Sequence, residues 1–281
     1  MQILRDYLTT VEIRPNRRIA ILRHQSKGSR RPVGRVLLVH GACARMQQLV
    51  FVIRNLVEKG YEVVSYDALG CGASDKPIIT SAYSSREMFS DLVALIKRYG
   101  PEENKWVSLM GHSIGGAMLA KFAATAECEQ FTDSVICITP PVISASATSS
   151  TGIFKLPGSI LWLIRPWMGV KARQMLFGPK ATASLRNMER EASARNPVYM
   201  FKAFYTSIDR SFLAVSESSF HVPVLCIGAE YDKVCPALAV EEMSKRCKCK
   251  YVLAKDCGHQ CMQEDPEQIN GIIETFLKTL E

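Results

Sequence analysis

The 281-residue sequence predicts an α/β fold, a mostly parallel central sheet with helices on both faces and a helical cap inserted late in the chain. Three observations predict it. Short β-branched runs alternate with segments of helical period, the pattern of βαβ crossovers. The alternation stops for about 80 residues between Pro140 and Phe220 and then resumes. The composition, 47% apolar and 22% charged, is that of a globular chain, and one of this length buries roughly 75% of its unfolded surface when it folds as a unit. Collagen, coiled coil and global disorder are excluded.

Taken in order, Thr10-Val11-Glu12-Ile13 and Ile19-Ala20-Ile21-Leu22 have strand character and predict an antiparallel hairpin turning at Pro15-Asn16. Strands of the parallel sheet are predicted at 36–39, 62–66, 106–110, 134–138, 222–227 and 250–253. Their near-continuous apolar character marks strands covered on both faces. Helices are predicted at 46–59, 85–99, 114–125, 236–246 and 266–280. The core is therefore assigned to residues 1–139 and 221–281, and a helical cap to 140–220.

The formal net charge of +8 is unevenly placed. Residues 1–35 carry nine Lys/Arg against two Asp/Glu, and residues 134–188 carry six Lys/Arg and no acid. The first group, with Arg14, Arg17, Arg18, Arg30 and Arg31, lacks interleaved stacking aromatics. It reads as a solvated hairpin face, and no nucleic-acid partner is expected. No basic n-region precedes an apolar stretch at the N-terminus, and the most apolar stretch, 153–170, is broken by Lys155, Pro157, Arg165 and Pro166. Neither a secretory signal nor a spanning helix is expected. A cytoplasmic location follows, with contact to a membrane surface left open.

Ten cysteines are scattered without the framework of a small secreted domain, which predicts reduced thiols. Cys247, Cys249, Cys257 and Cys261 lack paired C-x2-C spacing, so no metal site is expected. No cofactor motif is present either.

The most specific local signal is Gly111-His112-Ser113-Ile114-Gly115, set between a predicted strand and a predicted helix. In that context G-x-S-x-G is a nucleophile elbow, whose turn demands small residues two places either side of the serine. A serine hydroxyl needs a base to take its proton, and the base needs an orienting acid. His259 follows the strand ending near Leu253, on the edge where open α/β sheets place their ligands, and is assigned as base. His24 and His221 read as surface residues, and the His112 side chain should point away from the nucleophile. Asp232, beyond the strand ending near Ile227 and before the helix that Pro236 opens, is assigned as orienting acid, with Glu230 and Asp256 as weaker substitutes. Acyl transfer also needs donors for the oxyanion. The backbone N–H groups of Ala42, in Val39-His40-Gly41-Ala42-Cys43, and of Ile114 are the candidates. Cys43 reads as a small buried filler.

Together His40-Gly41, the Asp67-Ala68-Leu69-Gly70-Cys71-Gly72-Ala73-Ser74-Asp75 turn, Gly111 to Gly116, Asp232 and His259 resemble the α/β-hydrolase superfamily over about residues 10–280. The resemblance implies its fold and the order serine, acid, histidine. Epoxide hydrolases and haloalkane dehalogenases carry aspartate at the elbow, where this chain has Ser113. The acyltransferase-like H-x4-D pattern is also missing, since Glu264 occupies its last position. The cap sequence from Phe154 through Leu161-Trp162 and Pro166 to the basic segment after it looks similar to that of eukaryotic abhydrolase-domain-containing proteins. The expected activity is hydrolysis of a carboxylic ester or thioester with an apolar, lipid-like acyl part. Carbon–carbon bond hydrolysis by the same triad, or a non-catalytic scaffold on this fold, are the alternatives. A basic, apolar cap offers a surface for membrane contact.

Overall fold

The computed structural model describes residues 8–24, 32–100, 106–142, 151–215 and 220–280. Their strands form one eight-stranded sheet in the order β1-β2-β4-β3-β5-β6-β7-β8. The hairpin β1 (Leu8–Arg14) and β2 (Arg17–His24) turns at Asn16, where φ is 60°, and joins the sheet antiparallel to β4 (Glu62–Tyr66). From β4 outward, β3 (Arg35–Val39), β5 (Ser108–His112), β6 (Val135–Ile138), β7 (Val224–Ala229) and β8 (Lys250–Ala254) pair in parallel.

Residues 36–39 alternate between two apolar cores, Leu37 and Val39 facing one and Val36 and Leu38 the other, which is why the strand reads as an unbroken apolar run. One face is covered by α2 (Ser85–Tyr99), α3 (Ile114–Ala123) and α9 (Ala237–Arg246), the other by α1 (Val50–Glu58) and α11 (Pro266–Leu277). Local chemistry sets the helix ends. The Ser84 side chain caps α2 by accepting the Glu87 N–H, and Lys97 and Arg98 lie at its carbonyl end. Pro266 opens α11 behind an Asp265 side chain that accepts the Gln268 N–H.

The described residues between β6 and β7 carry the helices α5 (Gly158–Leu176), α6 (Ala183–Ala194), α7 (Val198–Ser207) and the short α8 (Arg210–Leu213). The short α4 (Cys128–Phe131) precedes β6, and α10 (Cys261–Glu264) precedes α11.

Several expectations are corrected. The strand expected at 106–110 runs from Ser108 to His112. Trp106 makes a lone bridge to Thr132, while its buried indole donates to the Ile96 carbonyl. The strand expected at 222–227 begins at Val224, after Pro223, which has no N–H for the ladder. The helix expected at 46–59 opens as a 3₁₀ turn, Met46–Leu49, tied down by the Met46 N–H donated to Asp67 Oδ1. The solvated basic hairpin face is overturned at Arg17. Its guanidinium is buried and grips Asp91 of α2, which also receives Arg14 at 3.0 Å. An ion pair across sheet and helix looks like a surface charge run in sequence, because the partner lies 74 residues away. Arg30 and Arg31 lie outside the described residues. His24 is half-buried rather than exposed, whereas His221 is exposed beside Glu129.

Candidate active site

The sheet order changes direction at β3, with β4 on one side and β5 on the other, and open α/β sheets bind ligands at the carboxyl ends of such a switch point. The β3 turn with Gly41 and Ala42 meets the β5 turn with Ser113 at this place. A Cβ built on Gly41 would lie 2.7 Å from His112 Nδ1 and 3.3 Å from Ser113 Cβ, so only glycine lets the two turns approach this closely.

Ser113 is held at φ 51° and ψ −123°, a conformation that a residue with a Cβ rarely adopts. The surroundings enforce it. A Cβ on Gly111 would stand 2.5 Å from the Gly115 carbonyl carbon, and one on Gly115 would stand 2.7 Å from the Val39 oxygen. The Ser113 N–H donates to the Ile138 oxygen at 2.9 Å, which carries the β5–β6 ladder into the turn. Ser113 is 8% exposed. Ile114 is the first residue of α3, where a backbone N–H has no acceptor within the helix.

Asp232 and His259 come together across 27 residues of chain. Asp232 Oδ1 accepts the N–H groups of Val234 and Cys235 at 2.7 and 2.8 Å, and Oδ2 accepts from His259 Nδ1 at 2.7 Å. With Nδ1 donating, Nε2 is the basic nitrogen. Both side chains are buried, and burial strengthens the hydrogen bond. Glu230 and Asp256 are exposed and joined to each other, Glu230 Oε2 accepting the Asp256 N–H.

Cys235 completes a buried trio with Asp232 and His259, whose ligand-type atoms lie within 4.8 Å of one another. The 2.7 Å contact of His259 with Asp232 is a hydrogen-bond distance. Two ligands on one tetrahedral zinc, each bound at about 2.0–2.2 Å, would stand about 3.3 Å apart or more. Burial pushes the Cys235 thiol up, so it stands beside the pair as a neutral thiol.

Sequence reasoning missed a supporting layer. His112 Nε2 donates to the His259 carbonyl at 2.9 Å, and Thr139 Oγ1 donates to the same oxygen at 3.3 Å. The His112 side chain thus holds the backbone of the candidate base. Gln48 Oε1 accepts the Gly41 N–H and lies 3.1 Å from His112 Nδ1, while Gln48 Nε2 donates to Gln260. His40 Nδ1 donates to the Gly41 oxygen and its Nε2 accepts the Ala68 N–H, fixing the tautomer. Burial drives both His40 and His112 below the ordinary histidine range. From the segment after β6, the Asn196 side chain donates to the Cys43 carbonyl, and Met200 Sδ sits 3.9 Å from Cys43 Sγ. Cys43 is buried, and burial raises its thiol well above the usual range, as a filler rather than a nucleophile. Glu264 bridges Gly178 and Gly258 through their N–H groups, with its pKa raised by burial. His112 stands inside the motif and could have been found from it. Gln48, Asn196 and Glu264 carry no motif, and only the folded chain brings them to the site.

The sequence matches the Hydrolase_4 family, described as serine aminopeptidase S33, over residues 30–266. The chain belongs to this α/β-hydrolase family. Protein ABHD8 of Homo sapiens is 28% identical over 255 residues, an alignment covering 86% of this chain and 54% of that protein. The chain thus spans about half the length of the curated relatives it matches. Among solved structures, the esterase EaEST from Exiguobacterium antarcticum superposes with a TM-score of 0.79 at 18% identity, over 96% of this chain and 99% of the other. Epoxide hydrolase A from Mycobacterium thermoresistibile gives 0.75 at 20% identity over 98% of each chain. These likenesses show the fold. The family match makes the chain an α/β hydrolase.

Proposed function

We propose that this hydrolase cleaves a carboxylic ester or thioester with an apolar acyl part by acyl transfer through Ser113. The observation that carries this reading is a serine strained at the β5–α3 turn, together with a buried His259–Asp232 hydrogen bond at the same edge of the sheet. Ser113 Oγ attacks the carbonyl carbon while His259 Nε2 takes its proton. Asp232 holds Nδ1–H and stabilises the imidazolium. The N–H groups of Ala42 and Ile114 receive the oxyanion, where one donor is typically worth about 3 kcal/mol. His259 then protonates the departing alcohol or thiol; water, deprotonated by His259, attacks the acyl carbonyl, and His259 gives that proton to Ser113 Oγ as the acid leaves. No cofactor or metal enters these steps.

The apolar acyl part is supported by what closes over the oxyanion turn. Met200 of α7 is buried against Cys43, the residue after Ala42, and Phe204 and Tyr83 belong to the same apolar cluster. In this reading the helices between β6 and β7 form a cap over residues 140–220, and the protein works in the cytoplasm.

The test is turnover of p-nitrophenyl esters and acyl-CoA thioesters over a series of chain lengths, with an aminoacyl anilide and a vinylogous β-diketone alongside. Rates rising with acyl length and abolished in Ser113→Ala are expected. Cleavage of the anilide or diketone alone would overturn the ester reading in favour of peptidase or carbon–carbon chemistry, and absence of any turnover by the folded chain would favour a scaffold.

A further inference from the structure

Helix α5 is apolar on both sides and meets the rest of the chain on one. Leu161 is buried, and Ile164 and Met168 are half-buried on the inner side. Outward, Ile160, Leu163, Trp167 and Val170 are 41%, 72%, 58% and 46% exposed. At about 100° per residue, positions separated by three, seven and ten residues fall within about 80° of one another, so these four make one stripe. Trp162, 69% exposed, projects from another side of the helix, about 80° beyond Val170. A helix apolar all round belongs in a covered environment, and a contiguous exposed apolar patch marks a contact surface.

We infer that this stripe seats the protein on an anionic phospholipid surface. Three features select that occupant. The exposed cations Lys155 and Lys171 lie just before and on α5, which carries no acidic residue, whereas Lys180 further along is paired with Asp265. In an isologous dimer such a patch would face its own like charge, whereas acidic headgroups complement it. Tryptophans, whose rings suit the headgroup level, occupy two of the exposed positions. No helix among the described residues is long and apolar enough to cross a membrane, so the contact is with the surface. The carbonyl end of α5 runs directly to the candidate base. The Leu176 oxygen accepts the Gln260 N–H at 3.3 Å, and Gly178 packs on Gly258 so closely that a Cβ on either would collide with the other's backbone. Docking through α5 thus holds the His259 loop close to the bilayer. The inference does not rest on the catalytic reading, since a non-catalytic scaffold would dock in the same way.

The experiment is flotation of the full chain with vesicles of phosphatidylcholine, alone and mixed with phosphatidylserine, using tryptophan emission as a second readout. Wild type is expected to float with the mixed vesicles and shift its emission to the blue, and to float less without the anionic lipid. The double variant Leu163→Glu/Trp167→Glu, with circular dichroism confirming its fold, should partition at least about tenfold less. Lys171→Glu should weaken binding to the anionic vesicles by more than about fivefold and leave binding to neutral vesicles unchanged. Wild type that fails to float with either vesicle, or a double variant that floats as well as wild type, would overturn the inference. Sedimentation showing a dimer that the double variant loses, without vesicle binding, would assign the stripe to a second copy of the chain and overturn it as well.

Discussion

Asp232→Asn is the substitution whose effect follows most directly from the geometry. Asp232 Oδ1 accepts two backbone N–H groups, from Val234 at 2.7 Å and Cys235 at 2.8 Å, while Oδ2 faces His259 Nδ1 at 2.7 Å. In the asparagine variant the two backbone donors keep the amide oxygen at the Oδ1 position, because turning the amide would point its NH2 at both of them. The NH2 is then held against His259 Nδ1, which must accept, and the ring proton moves to Nε2. Under the proposed mechanism, the nitrogen that would take the serine proton then becomes a donor and cannot do so. Loss of the correct tautomer in a serine triad costs about 10⁴-fold in turnover, or about 5 kcal/mol of barrier. The fold should hardly notice, since both backbone donors stay satisfied. The assay is the second-order rate of fluorophosphonate labelling, with Tm measured on the same samples. A labelling rate lower by three to four orders of magnitude, with Tm within a few degrees of wild type, is expected. A rate within tenfold of wild type would refute the assignment and return the role to Glu230, whose own Gln variant should otherwise label normally.

Gly41→Ala places a methyl 2.7 Å from His112 Nδ1 and 3.3 Å from Ser113 Cβ. Shifts of an ångström at a reacting centre cost about 10²-fold, and that loss should appear in the labelling rate. Arg17→Ala strands the carboxylate of Asp91, which is 3% exposed, and should cost about 3–5 kcal/mol in urea unfolding, less whatever Arg14 recovers. Stability should also fall with acid. His40 and His112 have folded pKa values below their unfolded value of about 6.5, so under that pH the unfolded chain binds protons that the native one refuses. Their stabilising contribution is present above pH 6.5 and declines as pH drops toward the depressed folded values, by up to about 1.4 kcal/mol per pH unit for each histidine. Urea melts between pH 7.5 and 5 should show this slope, and a flat profile would contradict it.

Legibility in the sequence followed the range of the interaction. Residues 85–99 read as a helix and fold as one over those positions, because Ser84, the Leu92/Leu95/Ile96 spacing and the terminal Lys97 and Arg98 are all local signals. The elbow was legible for the same reason, since five consecutive residues carry its steric requirement. Asp232 and His259 were reachable because each follows a readable strand at the binding edge. The Arg17–Asp91 pair, the Gln48 bridge from Gly41 to Gln260 and the Asn196 contact with Cys43 join residues far apart in the chain. No periodicity encodes such contacts, so a buried arginine passes for a solvated one. Strand starts moved by two residues where Trp106 reaches back to α2 and where Pro223 lacks a donor, which are tertiary and backbone effects that outweigh propensity.

The proposed chemistry stands or falls on an activated Ser113. Fluorophosphonate labelling of wild type, Ser113→Ala and His259→Ala, followed by mass spectrometry of the labelled peptide, tests it most directly. A single adduct on Ser113 is expected in wild type and none in either folded variant. An unlabelled wild type, or an adduct that persists in Ser113→Ala, would contradict it.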